Sequence, residues 1–391
     1  MTVQESTTVA IVGGGVSGLT TAMLLRQSGI DAVVLERQTR DYVERRQRAG
    51  LVEYRGVHMF REWGLEHLLG THPADNTLEV RVDGETRLFG QDPHSQEAVG
   101  QLVPQQALVR ALIAEFLAAG GDLRFEAADV SLEGIETSRP VVRYYGADGT
   151  PREIECDFVA GCDGDHGVTN GYVPAGADAG YAHDFGITWL TILAEAPPPQ
   201  YPLIAVGERG YAAHFFRGPT SSRFYLQIPP DDTPAGWPAA RIWEELRRRL
   251  HRPDLPGGEI TQTEVFPLRA LVREPMSHGR LYLMGDAAHV ISPMGAKGMN
   301  LALYDAEVFA TAVRDFTRDG DDAGLRAYSD TCLARTWKYQ EWSHWMADML
   351  CGACPANASP FRQRLARARL DRVLGTDTGR AYWAELWTGL G

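Results

Sequence analysis

The sequence predicts an α/β protein: a Rossmann-like nucleotide-binding domain, a mostly antiparallel β-sheet domain and C-terminal helices. Three observations carry this. A glycine-rich turn joins a short apolar strand to an apolar helix near the N-terminus. Two later apolar strands, around residues 156–162 and 281–284, each run into a turn holding a carboxylate. Between and around them lie runs rich in β-branched and aromatic residues, such as "ITWLTILAE" and "RFYLQIP", which suit a half-buried sheet.

The first unit is the most specific. "VAIV" (9–12) reads as a buried strand, Gly13-Gly14-Gly15-Val16-Ser17-Gly18 as the turn, "LTTAMLLRQSG" as a helix ended by Gly29, and "AVVLE" as a second strand ending at Glu36. Gly13 permits the tight turn, Gly15 lets a pyrophosphate approach the backbone, and Gly18 lets helix and strand pack closely. The helix N-terminus offers free N–H groups to phosphate, with Ser17 in its first turn. Glu36 is spaced to bind ribose hydroxyls. This unit alone does not separate NAD from FAD.

Two further motifs narrow the choice. "CDFVAGCDGDHG" (156–167) is a strand running into Asp163-Gly164. "LYLMGDAAHVISPMGAKGMNLA" (281–302) is a strand running into Gly285-Asp286, then a loop holding Pro293, Gly295 and Gly298, then a helix from about Met299. Taken singly, either carboxylate is also compatible with an ordinary strand-end cap.

In this order and spacing the three motifs resemble the FAD-dependent aromatic hydroxylases, the single-component flavoprotein monooxygenases. "LERQTRDYVERRQRAG", "DFVAGCDGDHG" and "GDAAHVISPMGAKGMNLA" are most similar to the 4-hydroxybenzoate 3-hydroxylase group, over essentially the whole chain. The resemblance implies FAD as cofactor. Glu36 would hold the adenosine ribose, Arg48 and Gln105 the phosphates and ribityl region, and Asp286 the ribityl chain. Asp163 would belong to the same cofactor site. Pro293, Gly298, Met299 and Asn300 would line the flavin, where a helix N-terminus favours the negative charge of the reduced ring. No second dinucleotide fold is visible. NADPH, with NADH as the other option, would bind at the surface through Arg37, Tyr42, Asp163 and His166. Asn170 stands where the family carries an arginine.

The family's reaction is NAD(P)H reduction of FAD and oxygen transfer through a flavin C4a-hydroperoxide. The resemblance assigns Arg217 to the substrate carboxylate, Tyr225 to an assisting hydroxyl, Arg223 to a position beside the flavin and Pro293 to the reacting edge of the ring. Leu51 also falls at the substrate chamber. Elsewhere the chain departs from the family. Ala205 and Trp387 align where two tyrosines relay the phenol proton, and Phe215 where a serine helps hold the carboxylate. The relay histidine falls near Asp75, with His72 close by. The expected substrate is therefore a small aromatic or related cyclic carboxylic acid other than 4-hydroxybenzoate. Loss of CO₂ on hydroxylation, or epoxidation of a non-benzenoid ring, is the alternative. A non-catalytic flavin or small-molecule binding protein is the alternative from another class.

Composition sets outer bounds. The chain has 391 residues, 44% of them hydrophobic and 23% charged, with a net charge of −13. That excess of acid argues against nucleic acid and anionic membranes as partners. No apolar run spans a bilayer and "MTVQESTT" has no leader pattern, so a cytoplasmic location is expected. Cys351 and Cys354 form a lone CxxC, so no metal is expected. The expected segments are a discontinuous FAD domain (1–72, 99–174, 273–350), a sheet domain (73–98, 175–272) and a helical end (351–391). Helices near the C-terminus, including "TWKYQEWSHWMADML" (336–350), could mediate a homodimer.

Overall fold

The computed structural model describes residues 3–46, 50–70, 77–89, 100–174, 180–352 and 359–388. Arg48, His72, Asp75 and Cys354 lie outside the described residues. Strands are numbered along the chain.

The first sheet has the order β14-β15-β8-β1-β2-β5, with β7 flanking β8 and β6 flanking β7. Its strands are β1 (Val3–Val12), β2 (Ala32–Leu35), β5 (Asp122–Arg124), β6 (Ala128–Glu133), β7 (Val141–Tyr145), β8 (Pro151–Gly161), β14 (Ser277–His278) and β15 (Leu281–Leu283). The central pairs, β1 with β2 and β8, and β8 with β15, are parallel. Parallel strands are covered on both faces and so read as continuous apolar runs. Val9, Ala10 and Ile11 are accordingly fully buried. The helices Val16–Gln27, Gln105–Ala118 and Gly298–Asp319 contribute to the same core.

The second sheet has the order β16-β13-β9-β12-β11-β10-β3-β4. It comprises β3 (Leu78–Val82), β4 (Glu85–Phe89), β9 (Tyr181–Ala194), β10 (Leu203–Gly207), β11 (Gly210–Phe216), β12 (Ser222–Ile228), β13 (Ile260–Val272) and β16 (His289–Val290). All its pairs are antiparallel except β10 with β3. One face is covered by the helix Ala239–Arg249 through Ile242, Trp243 and Leu246. The other meets the helices Ala323–Leu350, Pro360–Gly375 and Asp377–Thr388. The long helix Ala323–Leu350 joins the two halves: Leu325, Tyr328 and Cys332 belong to the core of the first sheet, and Trp342, Met346 and Leu350 to that of the second. Among the described residues, no helix is long and apolar enough to cross a membrane.

Candidate active site

The glycine-rich turn is shaped from both sides. Gly13 has φ +114°, and a Cβ there would lie 2.2 Å from the Cys162 carbonyl oxygen. At Gly18 a Cβ would lie 2.0 Å from the Gly13 carbonyl oxygen. These two glycines let the turn fold onto the sheet and the helix onto the turn. Gly15 is different. A Cβ there would meet no protein atom within 4 Å. The space beside it is open, and it lies at the start of a helix with no side-chain cap and no acid in its first turn. That combination fits a diphosphate. Ser17 is buried in the same turn. Glu36, just beyond β2, accepts from Gly14 N–H (2.8 Å) and Gln38 N–H (2.7 Å), which fixes its carboxylate beside the turn.

The second part of the cradle is the loop Pro293–Asn300. The helix Gly298–Asp319 begins with no side-chain cap and no acid in its first turn, so its positive end is left for a ligand. Gly298, Met299 and Asn300 form that first turn. Asn300 is structural as well: its Oδ1 accepts from Glu53 N–H (2.9 Å), and its Nδ2 donates to the carbonyls of Leu51 (2.9 Å) and Ala296 (3.0 Å). Leu51 is thereby held against the loop. The Pro293 carbonyl accepts from Ala296 N–H (3.1 Å). Gly295 sits at φ +77° with its missing Cβ 2.5 Å from the Trp342 indole nitrogen, so only glycine fits there. Asp286 is exposed in the turn after β15. Buried Asp305 supports that turn: its Oδ2 accepts from Gly285 N–H (2.9 Å) and contacts His289 Nε2 (2.8 Å). Burial works against a charge on His289, but Asp305 outweighs it and raises the imidazole above its ordinary value.

The anion-binding end lies on the second sheet. Strand alternation puts Phe215 beside Arg223, and Ala213 beside Tyr225, on one face. Two residues further along, the same face carries Trp189 and Tyr211, stacked at 4.8 Å. Tyr225 packs against Trp189 (5.0 Å) and Phe215 (5.8 Å). Arg223 Nε and Nη1 are buried with no acceptor among the described residues. Its guanidinium lies 5.5 Å from the Tyr225 ring centre. Arg217 donates to Gln106 Oε1 at the start of the helix Gln105–Ala118. Burial and the neighbouring Arg223 charge both push Arg217 below its ordinary value. These two guanidiniums, one with buried N–H groups that have no acceptor among the described residues, are a candidate site for an anion.

One expectation is corrected. Ala205 does not face this site. It pairs with Ala212 and belongs to the cluster under the helix Ala239–Arg249, with Phe224 and Leu226. The residues of β10 on the arginine face are Ile204 and Val206. Asp163, like Glu36, is fixed by its own turn. Its carboxylate accepts from Val168 N–H (2.6 Å), Thr169 N–H (3.0 Å) and Thr169 Oγ1 (2.5 Å), closing the turn after β8.

The remaining residues are placed as follows. Trp387 packs on the cluster that contains Tyr225 and Phe215. Arg37 and Tyr42 are exposed beside the first turn, and the His166 side chain is 89% exposed. Next to His166, Asp165 pairs with Arg269 and Arg273. Burial opposes ionisation of Asp165, but hydrogen bonds from the two arginines hold it below the usual carboxylate range.

Sequence reasoning also missed a buried hub. The Lys297 side chain has no exposure and Glu53 only 2%. Lys297 Nζ donates to Glu53 and to the carbonyls of Leu386 (2.7 Å) and Trp387 (3.1 Å). Tyr339 donates to the other Glu53 oxygen (2.6 Å) and accepts from Arg335 (2.6 Å). Burial lowers the Lys297 pKa, with Glu53 opposing. The only hint in the sequence is a lysine inside an otherwise small and apolar loop.

A sheet with a parallel centre and an open glycine cradle, joined to an antiparallel sheet that carries an arginine pair, is the arrangement of a dinucleotide-binding protein. Comparison with known proteins agrees. Residues 6–343 match the FAD binding domain family, and the chain belongs to it as an FAD-dependent aromatic hydroxylase, a flavin-dependent monooxygenase. It is 34% identical to p-hydroxybenzoate hydroxylase of Acinetobacter baylyi over 98% of this chain and 95% of that one. It is 27% identical to 3-amino-4-hydroxybenzoate 2-monooxygenase of Streptomyces cremeus over 84% of each. The crystal structure of p-nitrophenol 4-monooxygenase from Pseudomonas putida has the same fold, with TM-score 0.82, 18% identity and 97% of each chain covered.

Proposed function

We propose that the protein hydroxylates a small aromatic or related cyclic carboxylic acid, and that 4-hydroxybenzoate is a poor substrate. The observation that carries this reading is the pair of buried Arg223 N–H groups that have no acceptor among the described residues. Beside Arg223, the same face of β10, β11 and β12 bears Phe215, Tyr225, Ala213, Ile204, Tyr211 and Gln227, with no carboxylate and no histidine on that face of the three strands; beyond them, Glu264 of β13, opposite Thr191, brings a carboxylate to this face. The unused Arg223 donors attract an anion, and Ile204 offers a phenol no hydroxyl. A ring that is already electron-rich, such as an acidic enol or an aromatic amine, suits this face better. The relatives named for 4-hydroxybenzoate and 3-amino-4-hydroxybenzoate are both named for ring acids, which supports the class.

Each residue then has a task. The open backbone at Gly15 and the helix behind it hold the FAD diphosphate, and Glu36 holds the ribose. Gln105 and Asp286 reach the ribityl region. The start of the helix at Gly298 favours negative charge on the ring. FAD, reduced by a nicotinamide cofactor, supplies the activated oxygen. Arg217 and Arg223 orient the substrate carboxylate. Phe215, Tyr225 and Trp387 exclude water. NADPH is preferred over NADH, with Arg37, Tyr42 and His166 as its contacts. Asp163 belongs to the same cofactor site, its carboxylate held by the turn after β8 as that of Glu36 is held by the glycine turn.

The test is a panel of aromatic and cyclic acids, scored for stimulation of NADPH oxidation and separately for peroxide leakage. A ring acid other than 4-hydroxybenzoate is expected to give oxidation coupled to hydroxylated product. Efficient, tightly coupled turnover of 4-hydroxybenzoate would overturn the substrate reading.

A further inference from the structure

The last helix is held by a charge that belongs to the flavin loop. Asp377–Thr388 carries Trp383, which is 1% exposed, and Trp387. Trp383 packs on Phe89 (5.6 Å) and Trp342 (5.7 Å), anchoring the helix midway. Its end is secured differently. The last-turn carbonyls of a helix have no partner within the helix and form its negative end. Here the carbonyls of Leu386 and Trp387 both accept from Lys297 Nζ. An ammonium has three N–H donors. Glu53 takes the third, so the group is saturated and buried. Elsewhere the contact between this helix and Ala323–Leu350 is incomplete. A pocket of about 360 Å³ opens between them, lined by Trp337, Tyr339 and Trp342 on one side and Tyr382 and Leu386 on the other.

We propose that Lys297 is a positioning residue for substrate selectivity: its ammonium caps the last helix and so fixes Trp387 as a wall of the substrate chamber. The proposal rests on the reading of Trp387 as a chamber wall. Tyr339 belongs to the same device, because its hydroxyl holds Glu53 in line with Lys297. Since Lys297 immediately precedes the helix that meets the flavin, the wall and the flavin loop are tied to one atom. Selectivity for ring size then depends on a residue that does not touch the ring.

The test uses the flavin-loaded protein. Removing Lys297 alone would leave Glu53 buried without its partner, so the informative variant is the double Lys297→Met/Glu53→Gln, which removes both charges together. Tyr339→Phe is the milder companion. Amide exchange across residues 381–388 should accelerate about tenfold in the double variant, as expected for loss of charge-assisted hydrogen bonds. The kcat/KM ratio between a small and a bulkier ring acid should move toward that of Trp387→Ala, while the affinity for FAD, measured by titration, stays within about threefold. Unchanged exchange overturns the cap. Faster exchange with a wild-type selectivity ratio, where Trp387→Ala does change that ratio, overturns the positioning role. If Trp387→Ala itself leaves selectivity unchanged, the chamber reading falls and takes the proposal with it, while the exchange data still report the cap.

Discussion

Substituting the three motif glycines by alanine should give three separable outcomes, because the structure surrounds each one differently. At Gly15 an added methyl meets no protein atom within 4 Å, and the backbone, at φ −80°, is one that alanine adopts freely. The position caps the helix Val16–Gln27, where alanine is a poorer choice than glycine by roughly 0.5–1 kcal/mol. Against this, alanine restricts the unfolded chain by about 0.4–1 kcal/mol. The flavin-free protein should therefore keep its stability to within about 1 kcal/mol. The methyl does, however, fill the space in which a diphosphate would approach the backbone. Loss of that approach should weaken FAD binding by about a hundredfold or more, close to 3 kcal/mol. Gly18→Ala behaves in the opposite way. Its methyl would lie 2.0 Å from the Gly13 carbonyl oxygen, so helix and turn must part even without ligand. Overpacking of this kind costs about 1–3 kcal/mol or more. Gly13→Ala adds the strain of φ +114° to a contact of 2.2 Å. The assays are urea denaturation of the flavin-free proteins and FAD titration by fluorescence quenching. Wild-type FAD affinity in Gly15→Ala would refute the placement of the diphosphate. Marked destabilisation of flavin-free Gly15→Ala would refute the claim that the space is open.

Further outcomes follow from other parts of the molecule. Arg223→Gln removes a charge whose two buried N–H groups have no acceptor among the described residues, so it should cost little stability while raising KM for a ring acid about tenfold or more; an unchanged or lower KM, measured by steady-state kinetics, would sink the anion site. Buried His214 is pushed down to about 3, first by burial and then by the Arg252 charge. Its folded pKa lies below its unfolded one, so the unfolded chain binds the extra proton and stability falls as pH drops from about 6.5 toward 3. At about 1.4 kcal/mol per pKa unit the loss is bounded near ~5 kcal/mol, and His214→Phe, which keeps the stack on Phe224, should flatten this slope in denaturation curves measured across that range. Ile204→Tyr should alter the substrate profile, whereas Ala205→Tyr should overpack the cluster under the helix Ala239–Arg249, costing about 1–3 kcal/mol without changing that profile.

The parts of the site that were legible in the sequence are those fixed by local backbone chemistry. A strand, a glycine turn and a helix within thirty residues determine one another through chirality, close approach and the helix dipole, so Gly13, Gly15, Gly18 and Glu36 could be placed without knowing the rest of the fold. The loop Pro293–Asn300 was legible for the same reason. Asp163 shows the limit of that logic. A carboxylate at a strand end can serve a ligand, the turn that follows or both, and its share in the turn depends on whether nearby N–H groups already have acceptors. Here Val168 and Thr169 do not, and Asp163 answers them.

The sheet face raises a sharper difficulty. Side chains alternate along a strand, so a shift of one residue moves a side chain from one face of the sheet to the other. The family resemblance puts Ala205 in the chamber, whereas the β10–β11 pairing, closed at Gly207 and Gly210, puts Ile204 on the arginine face. Neither residue carries a hydroxyl, but isoleucine is much the bulkier. A tyrosine replaced by alanine would have left a cavity, and isoleucine fills much of it. The chamber is therefore reduced in polarity rather than enlarged, and the preferred ring acid should differ from 4-hydroxybenzoate in its acidity or its ring substituents more than in its bulk. The role of Lys297 was beyond the reach of sequence, even though its place in a small, apolar loop marks it out. Its acceptors come from residues 53, 386 and 387, and nothing local to "GAKGMN" indicates that a buried cation there joins the flavin loop to the last helix.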